Sequence, residues 1–216
     1  MRVSGGDLRS RVIRSPRGVE IRPTPGRVKE ALFSILGEEI VGVRVLDLFA
    51  GTGAIGFEAL SRGAKHATFV ELHAPTAQAI RQTAADLGVE ARCSIVCAPA
   101  EKAVTRVAGR FDFVYADPPY ALPPPHLTFG TLRTRRAIDA ATVLVYEHRE
   151  GASSFAGPGF TTVRDARYGE VILQFLRVAS DEIGMPSGKH EASIVGPASA
   201  GPGAIGAQAA ICDDGS

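Results

Sequence analysis

Between residues 43 and 147 five short apolar runs alternate with segments of helical periodicity, and this alternation restricts the fold more than any other feature of the chain. The runs are VRVLDLF (43–49), ATFVE (67–71), RCSIVC (92–97), FDFVYAD (111–117) and TVLVYE (142–147). Each is nearly continuous in apolar character and too short for a helix, which predicts strands buried on both faces. The segments between them supply the cover. They are helical GFEALSR, a helix over 74–87 with apolar Ala77, Ile80, Ala84 and Leu87, a short helix over 99–108, and a helix over 127–138. Strands joined through helices lie parallel. The end differs: FTTVRDA and YGEVILQFL, within 160–176, leave no room for a helix between them and predict an antiparallel pair.

The flanks divide the chain into a basic extension over 1–37, an α/β domain over 38–178 and a tail over 179–216. In the extension, residues 10–22 read as two short basic strands around a Ser15-Pro16-Arg17-Gly18 turn. A helix follows, with Thr24 as N-cap, Pro25 at the first helical position, an apolar stripe of Val28, Ala31, Leu32, Ile35 and Leu36, and Gly37 at its end. The formal net charge is +1, yet residues 1–29 carry Arg2, Arg9, Arg11, Arg14, Arg17, Arg22, Arg27 and Lys29 against only Asp7 and Glu20. A basic arm on a mildly acidic body suits a polyanion gripped from one end; a merely solvated arm accounts for the charge equally well. The tail, rich in Gly, Ala, Ser and Pro, has too little apolar surface to offset its ordering entropy and reads as disordered.

Other classes are disfavoured. No apolar run approaches the ~18 residues of a membrane span, and the start has no apolar signal core. Cys93, Cys97 and Cys212 form no CxxC pair, and a strand over 92–97 places the first two on one face as buried small apolar residues. His66, His73, His126, His148 and His190 show no ligand-like spacing, so no metal site is expected. The reading is a cytoplasmic monomer.

The first strand runs into Asp47-Leu-Phe-Ala-Gly51-Thr-Gly53-Ala-Ile-Gly56 and then a helix. Glycines allow a sharp turn and close approach of a ligand to the backbone, and a helix start offers free N–H groups. Glu71 ends the second strand, where an acid can accept both hydroxyls of a ribose. Together they describe a pocket for a nucleoside-bearing cofactor. The glycines also spell G-x-G-x-x-G, so a nicotinamide oxidoreductase has to be weighed.

The fourth strand separates these readings, because it runs into Asp117-Pro118-Pro119-Tyr120. Two prolines stiffen the loop and remove backbone donors, leaving the Asp117 carboxylate and the Pro118 carbonyl as neighbouring acceptors. An exocyclic base amine needs such a pair, since its lone pair is delocalised into the ring. Holding both N–H bonds turns the nitrogen lone pair toward a methyl donor, and positioning then supplies much of the rate. Tyr120 can stack on a base drawn out of its helix. A nicotinamide enzyme has no use for this loop, although a plain proline-rich connection capped by Asp117 is the bland alternative.

Asp47–Gly53 resembles the cofactor motif of class I methyltransferases, and Asp117–Tyr120 the [D/N]-P-P-[Y/F] motif of members that methylate amines. Ser4-Gly5-Gly6 and Arg22-Pro-Thr-Pro-Gly-Arg27 through Leu36 are similar to the opening of RsmD-type enzymes, as is Tyr168-Gly169 before the last strand. That family methylates N2 of a guanine in 16S ribosomal RNA. The resemblance implies a Rossmann-like seven-stranded sheet with its last strand antiparallel, S-adenosylmethionine as cofactor, and 16S RNA or the small ribosomal subunit as partner. It implies that Asp47, Gly51, Gly53 and Glu71 line the cofactor and that Asp117, Pro118 and Tyr120 hold the guanine. Arg9, Arg11, Arg22, Thr24 and Arg27 would meet RNA, the last three nearest the mouth of the site.

Two positions depart from the family. The acid usual after the third strand is absent from Cys97-Ala-Pro99-Ala-Glu101, so its contact is lost, shifted to Glu101 or made by backbone. Thr83 stands where an Asn is usual. Competing readings are an adenine-N6 or protein-amide methyltransferase, and a non-catalytic RNA-binding module on the same fold. Glu147, at the end of the fifth strand, either touches RNA or caps the strand.

Overall fold

The apolar runs form the middle of one seven-stranded sheet in order β3-β2-β1-β4-β5-β7-β6. The structure, a computed structural model, describes residues 1–16, 26–119 and 121–179. Its elements are α1 (Gly26–Leu36), β1 (Arg44–Leu48), α2 (Ala54–Ser61), β2 (His66–Glu71), α3 (Ala74–Leu87), β3 (Cys93–Cys97), α4 (Ala100–Ala103), β4 (Phe113–Ala116), α5 (His126–Thr134), β5 (Val143–Arg149), β6 (Phe160–Tyr168) and β7 (Val171–Val178). Strands β1 to β5 are parallel, and β7 lies antiparallel between β5 and β6. The order reverses between β1 and β4, so the crevice for a ligand opens beyond their carboxyl ends.

The sheet is covered on both faces. Val45, Phe69, Phe113 and Val145 pack with α1, α2 and α3, whereas Leu46, Val70, Val114 and Leu144 pack with α4 and α5. Helix α2 is buried at every position, because residues 1–13 and α1 lie over its outer side. No helix among the described residues is long and apolar enough to cross a membrane.

The extension carries a pairing beyond the one expected. Residues 10–13 return along 1–3, with bonds Val3 N–H to Arg11 O at 3.0 Å, Ser10 N–H to Val3 O at 2.9 Å and Ile13 N–H to Met1 O at 2.9 Å. The partner strand expected after the Ser15–Gly18 turn, with Arg17, Arg22, Thr24 and Pro25, lies outside the described residues, as do 180–216 of the tail. The Gly5-Gly6 bend presses on the end of α2, where a Cβ on Gly6 would sit 1.9 Å from the Ser61 carbonyl oxygen.

Two expectations are corrected. In α1 the buried stripe is Val28, Lys29, Leu32, Phe33 and Leu36, one residue round from Ala31 and Ile35. Lys29 is therefore no part of a solvated arm: with 2% of its side chain exposed, it bonds a wholly buried Glu58 at 2.7 Å. The Glu58 carboxylate also accepts the Ser4 and Gly5 N–H groups and Arg62 Nε. Burial pushes its pKa up, but these bonds outweigh that and leave it below the ordinary value. Cys93 is half-buried and Cys97 exposed, because β3 is an edge strand covered on one side only in part.

Candidate active site

Strand register brings most of the sequence-predicted acids to one face of the carboxyl edge. Asp47 pairs with Phe69 and Tyr115, and Tyr115 in turn with Val145. Two residues further along, on the same face, stand Glu71, Asp117 and Glu147. Among the described residues, no three His, Cys, Asp or Glu side chains converge as a metal-binding group.

The β1–α2 turn is shaped by left-handed residues at Phe49 (φ 59°), Gly51 (φ 52°) and Gly53 (φ 77°). A side chain on Gly56 is excluded by packing, since its Cβ would meet the Phe69 ring at 2.2 Å. Glu71 ties the turn to β2: one carboxylate oxygen accepts Gly51 N–H and the other His73 N–H, both at 2.8 Å. Asp47 accepts Gly56 N–H at 3.0 Å from a buried position. Burial first, with Asp117 and Glu71 adding like charge against the Gly56 bond, pushes its pKa up to about 8.

Asp117 is half-buried, and its charge raises the pKa of Asp47, Tyr115 and Tyr146 alike, which fixes it among them. Pro118 is buried and Pro119 exposed; the Pro119 carbonyl accepts Leu122 N–H at 2.8 Å and closes the loop. Both prolines line a cavity of about 310 Å³, with Tyr146, Glu147 and His148 from β5 and residues 151–153 opposite. The diproline corner thus faces a cavity of the size of a small ligand. Tyr120 lies outside the described residues.

The remaining predicted residues separate. Glu101 is exposed on the first turn of the four-residue α4, and its side chain makes no hydrogen bond among the described residues. Arg9 and Arg11 are exposed beside the carboxyl ends of α2 and α3, at the opposite edge of the sheet, where Arg11 bonds the Asp86 carbonyl at 2.6 Å. Arg27 is at the site's own edge, its guanidinium against Gly169 in the β6–β7 turn. Thr83 is buried in the later half of α3 and accepts Arg14 N–H at 3.1 Å, so it serves the extension. Sequence reasoning missed the Tyr115 hydroxyl, which donates to Glu147 in the interior. A tyrosine two residues before Asp117, facing the same way, was the available signal.

The family described as Conserved hypothetical protein 95 matches residues 1–177. The chain belongs to this family. It is the RsmD-type family that the opening and the Asp-Pro-Pro-Tyr loop resemble. "Putative rRNA methyltransferase YlbH" of Bacillus subtilis is 37% identical over 56% of this chain and 67% of its own length. "Ribosomal RNA small subunit methyltransferase D" of Escherichia coli strain K12 is 36% identical over 56% of this chain. The match spans only 60% of that relative's length. The solved structure "Putative methyltransferase yhhF from Escherichia coli" superposes on 84% of this chain and 99% of its own, with a TM-score of 0.74 at 28% identity. The sheet is thus a Rossmann-like α/β methyltransferase fold.

Proposed function

We propose that this chain transfers a methyl group from S-adenosylmethionine to the exocyclic N2 of a guanine in small-subunit ribosomal RNA. The observation that carries the reading is the Asp117-Pro118-Pro119 corner, which borders a cavity and stands beside the acid-lined glycine turn. The residues suit the cofactor: Glu71 for ribose hydroxyls, Gly51 and Gly53 for close backbone approach, and the charge of Glu71 for a cation. When bound, the cofactor supplies a methyl group already activated on a sulfonium.

The chain's own work is then positional. Asp117 and the Pro118 carbonyl accept the two N–H bonds of the amine, and the lone pair turns out of the ring plane. Asp117 receives the proton that the nitrogen loses. Tyr120 stacks on the displaced base. Arg22, Thr24 and Arg27 hold RNA phosphates near the mouth, while Arg9 and Arg11, on the opposite edge, reach only a more distant part of a large RNA. Support comes from the methyltransferase names of the relatives and from the placement of Arg27. The test uses labelled cofactor and small subunits lacking the modification, followed by nucleoside analysis. Label is expected as N2-methylguanosine; none in 16S RNA, from protein that binds the cofactor, rejects the proposal.

A further inference from the structure

Resting on that reading, we propose that the cavity behind the diproline corner binds a second base of the RNA, the one next to the target in the strand, and that His148 Nε2 accepts an N–H of that base.

The cavity stands apart from the place assigned to the amine. Its walls include Pro118 and Pro119 but not Asp117. Successive side chains of β5 point to opposite faces of the sheet. Tyr146 packs on the side of α5, and His148, two residues on, stacks against it with ring centroids 5.1 Å apart. Glu147 points the other way, to Tyr115. The cavity thus lies on the α5 side of β5, whereas Asp117 follows Tyr115 by two residues on the opposite face. Pro118 is shared, so a group in the cavity sits one residue from the amine. In a bound RNA the strand itself delivers the neighbouring nucleotide there, at high effective concentration. Among the described residues the walls hold no Lys or Arg and one acid, Glu147, which suits a neutral base and disfavours a phosphate.

The walls fit a flat ring gripped by its faces and bonded at its edge. On one side Pro118, Pro119, Leu122, Pro123 and Pro124 offer apolar carbon and almost no backbone donors. That wall is formed before a ligand arrives. Leu122 N–H bonds the Pro119 carbonyl at 2.8 Å, and at the far end of the loop His126 stacks on buried Phe155, with centroids 4.6 Å apart. Leu122 remains 46% exposed, apolar surface that the chain leaves uncovered. Opposite are residues 151–153, where the Ser153 carbonyl lies 3.5 Å from the Tyr146 hydroxyl. His148 forms the floor, only 6% exposed and with one ring face taken by Tyr146, so it offers an edge. Its Nδ1 is 3.0 Å from the Arg149 carbonyl, which can only accept; Nδ1 therefore carries the proton, and Nε2 of the neutral ring is an acceptor. Nε2 has no partner among the described residues, and none of their polar side-chain atoms is sealed in without one, so this acceptor opens to the cavity. Every RNA base carries an amine or ring N–H on its edge that can meet it. A volume of about 310 Å³ is at the small end of ligand sites, room for one base.

The experiment compares intact small-subunit RNA with RNA made abasic at the nucleotide 5′ or 3′ of the one the wild-type protein methylates. One of the two abasic RNAs should lose on the order of 10- to 100-fold in kcat/KM, the range for one bound base. RNA affinity, measured with S-adenosylhomocysteine present, should fall in parallel. His148→Phe keeps the ring and removes the acceptor; it should slow methylation of intact RNA and shrink the abasic penalty several-fold, the non-additivity expected of partners. Because His148 is buried, Ser153→Trp is tested beside it, filling the cavity from an exposed turn. It should bring intact RNA down to the rate of the abasic one and leave cofactor affinity unchanged. Wild-type protein indifferent to both flanking bases overturns the subsite while leaving guanine methylation standing, and gives the cavity to the target base if Ser153→Trp then stops turnover. An unchanged abasic penalty in His148→Phe overturns the bond to His148. Wild-type protein that binds cofactor but methylates no RNA overturns the underlying reading and this inference with it.

Discussion

Asp47 permits a prediction whose sign and size follow from its burial. Its ordinary pKa of 3.8 rises to about 8 in the folded chain. Between those values the folded protein holds a proton that the unfolded chain has released, so stability falls as pH rises, by about 1.4 kcal/mol per unit. Below the unfolded value both states hold the proton and the full stability is present; above the folded value neither does and the loss is complete. From about pH 5 to about pH 8, allowing for partial ionisation at each end, the loss is on the order of 3 to 4 kcal/mol. Asp47→Asn keeps a carbonyl for the Gly56 N–H and has no proton to lose. Every other residue is the same in both proteins, so the difference between the two isolates position 47. Urea unfolding followed by circular dichroism across this range, at constant ionic strength, should show the variant gaining on wild type as pH rises. Parallel curves would mean that Asp47 is ionised in the folded protein at neutral pH and that burial does not hold its proton.

Asp117→Ala should abolish methyl transfer and leave S-adenosylmethionine binding within about 3-fold by calorimetry, because Asp117 is assigned to the amine; near-normal turnover would remove it from the mechanism. Lys29→Met should destabilise the fold by about 3 kcal/mol in urea, since among the described residues Glu58 then keeps Arg62 as its one charged partner, and adding Glu58→Gln should recover part of that. Arg27→Ala should weaken RNA binding and flatten its dependence on salt, measured by fluorescence anisotropy, more than Arg9→Ala does from the opposite edge; equal effects would place the RNA surface across both edges.

The parallel half of the sheet was legible because its strands are apolar on both faces and its helices are closed by recognisable residues. Helix α3 spans 74–87 as read, with Gly88 left-handed at its end (φ 69°). The extension was not, because pairing of residues 1–3 with 10–13 depends on contacts with α2 and α3 that no local pattern encodes. The acid of α2 offered a signal that periodicity could have caught. Glu58 lies in a helix with apolar residues on every side, and such a carboxylate needs a buried cation; Lys29 stands one turn before Phe33, on the stripe that proves to be inside. Tyr115 and Glu147 become partners only through the pairing of β4 with β5, which the order of strands in the sequence does not specify.

The acid absent after β3 takes a different meaning once the sheet is known. Strand β3 is the edge, its residues are half-buried or exposed, and Glu101 on α4 is open to solvent. Charge at such a position is screened by water and contributes little to holding a cation. Glu71, Asp117 and Glu147 lie inward, on β2, just past β4 and on β5, around a protonated Asp47, where low dielectric strengthens each charge and where they already raise the pKa of Asp47 and Tyr115. Negative charge is therefore concentrated around the strand-order reversal between β1 and β4.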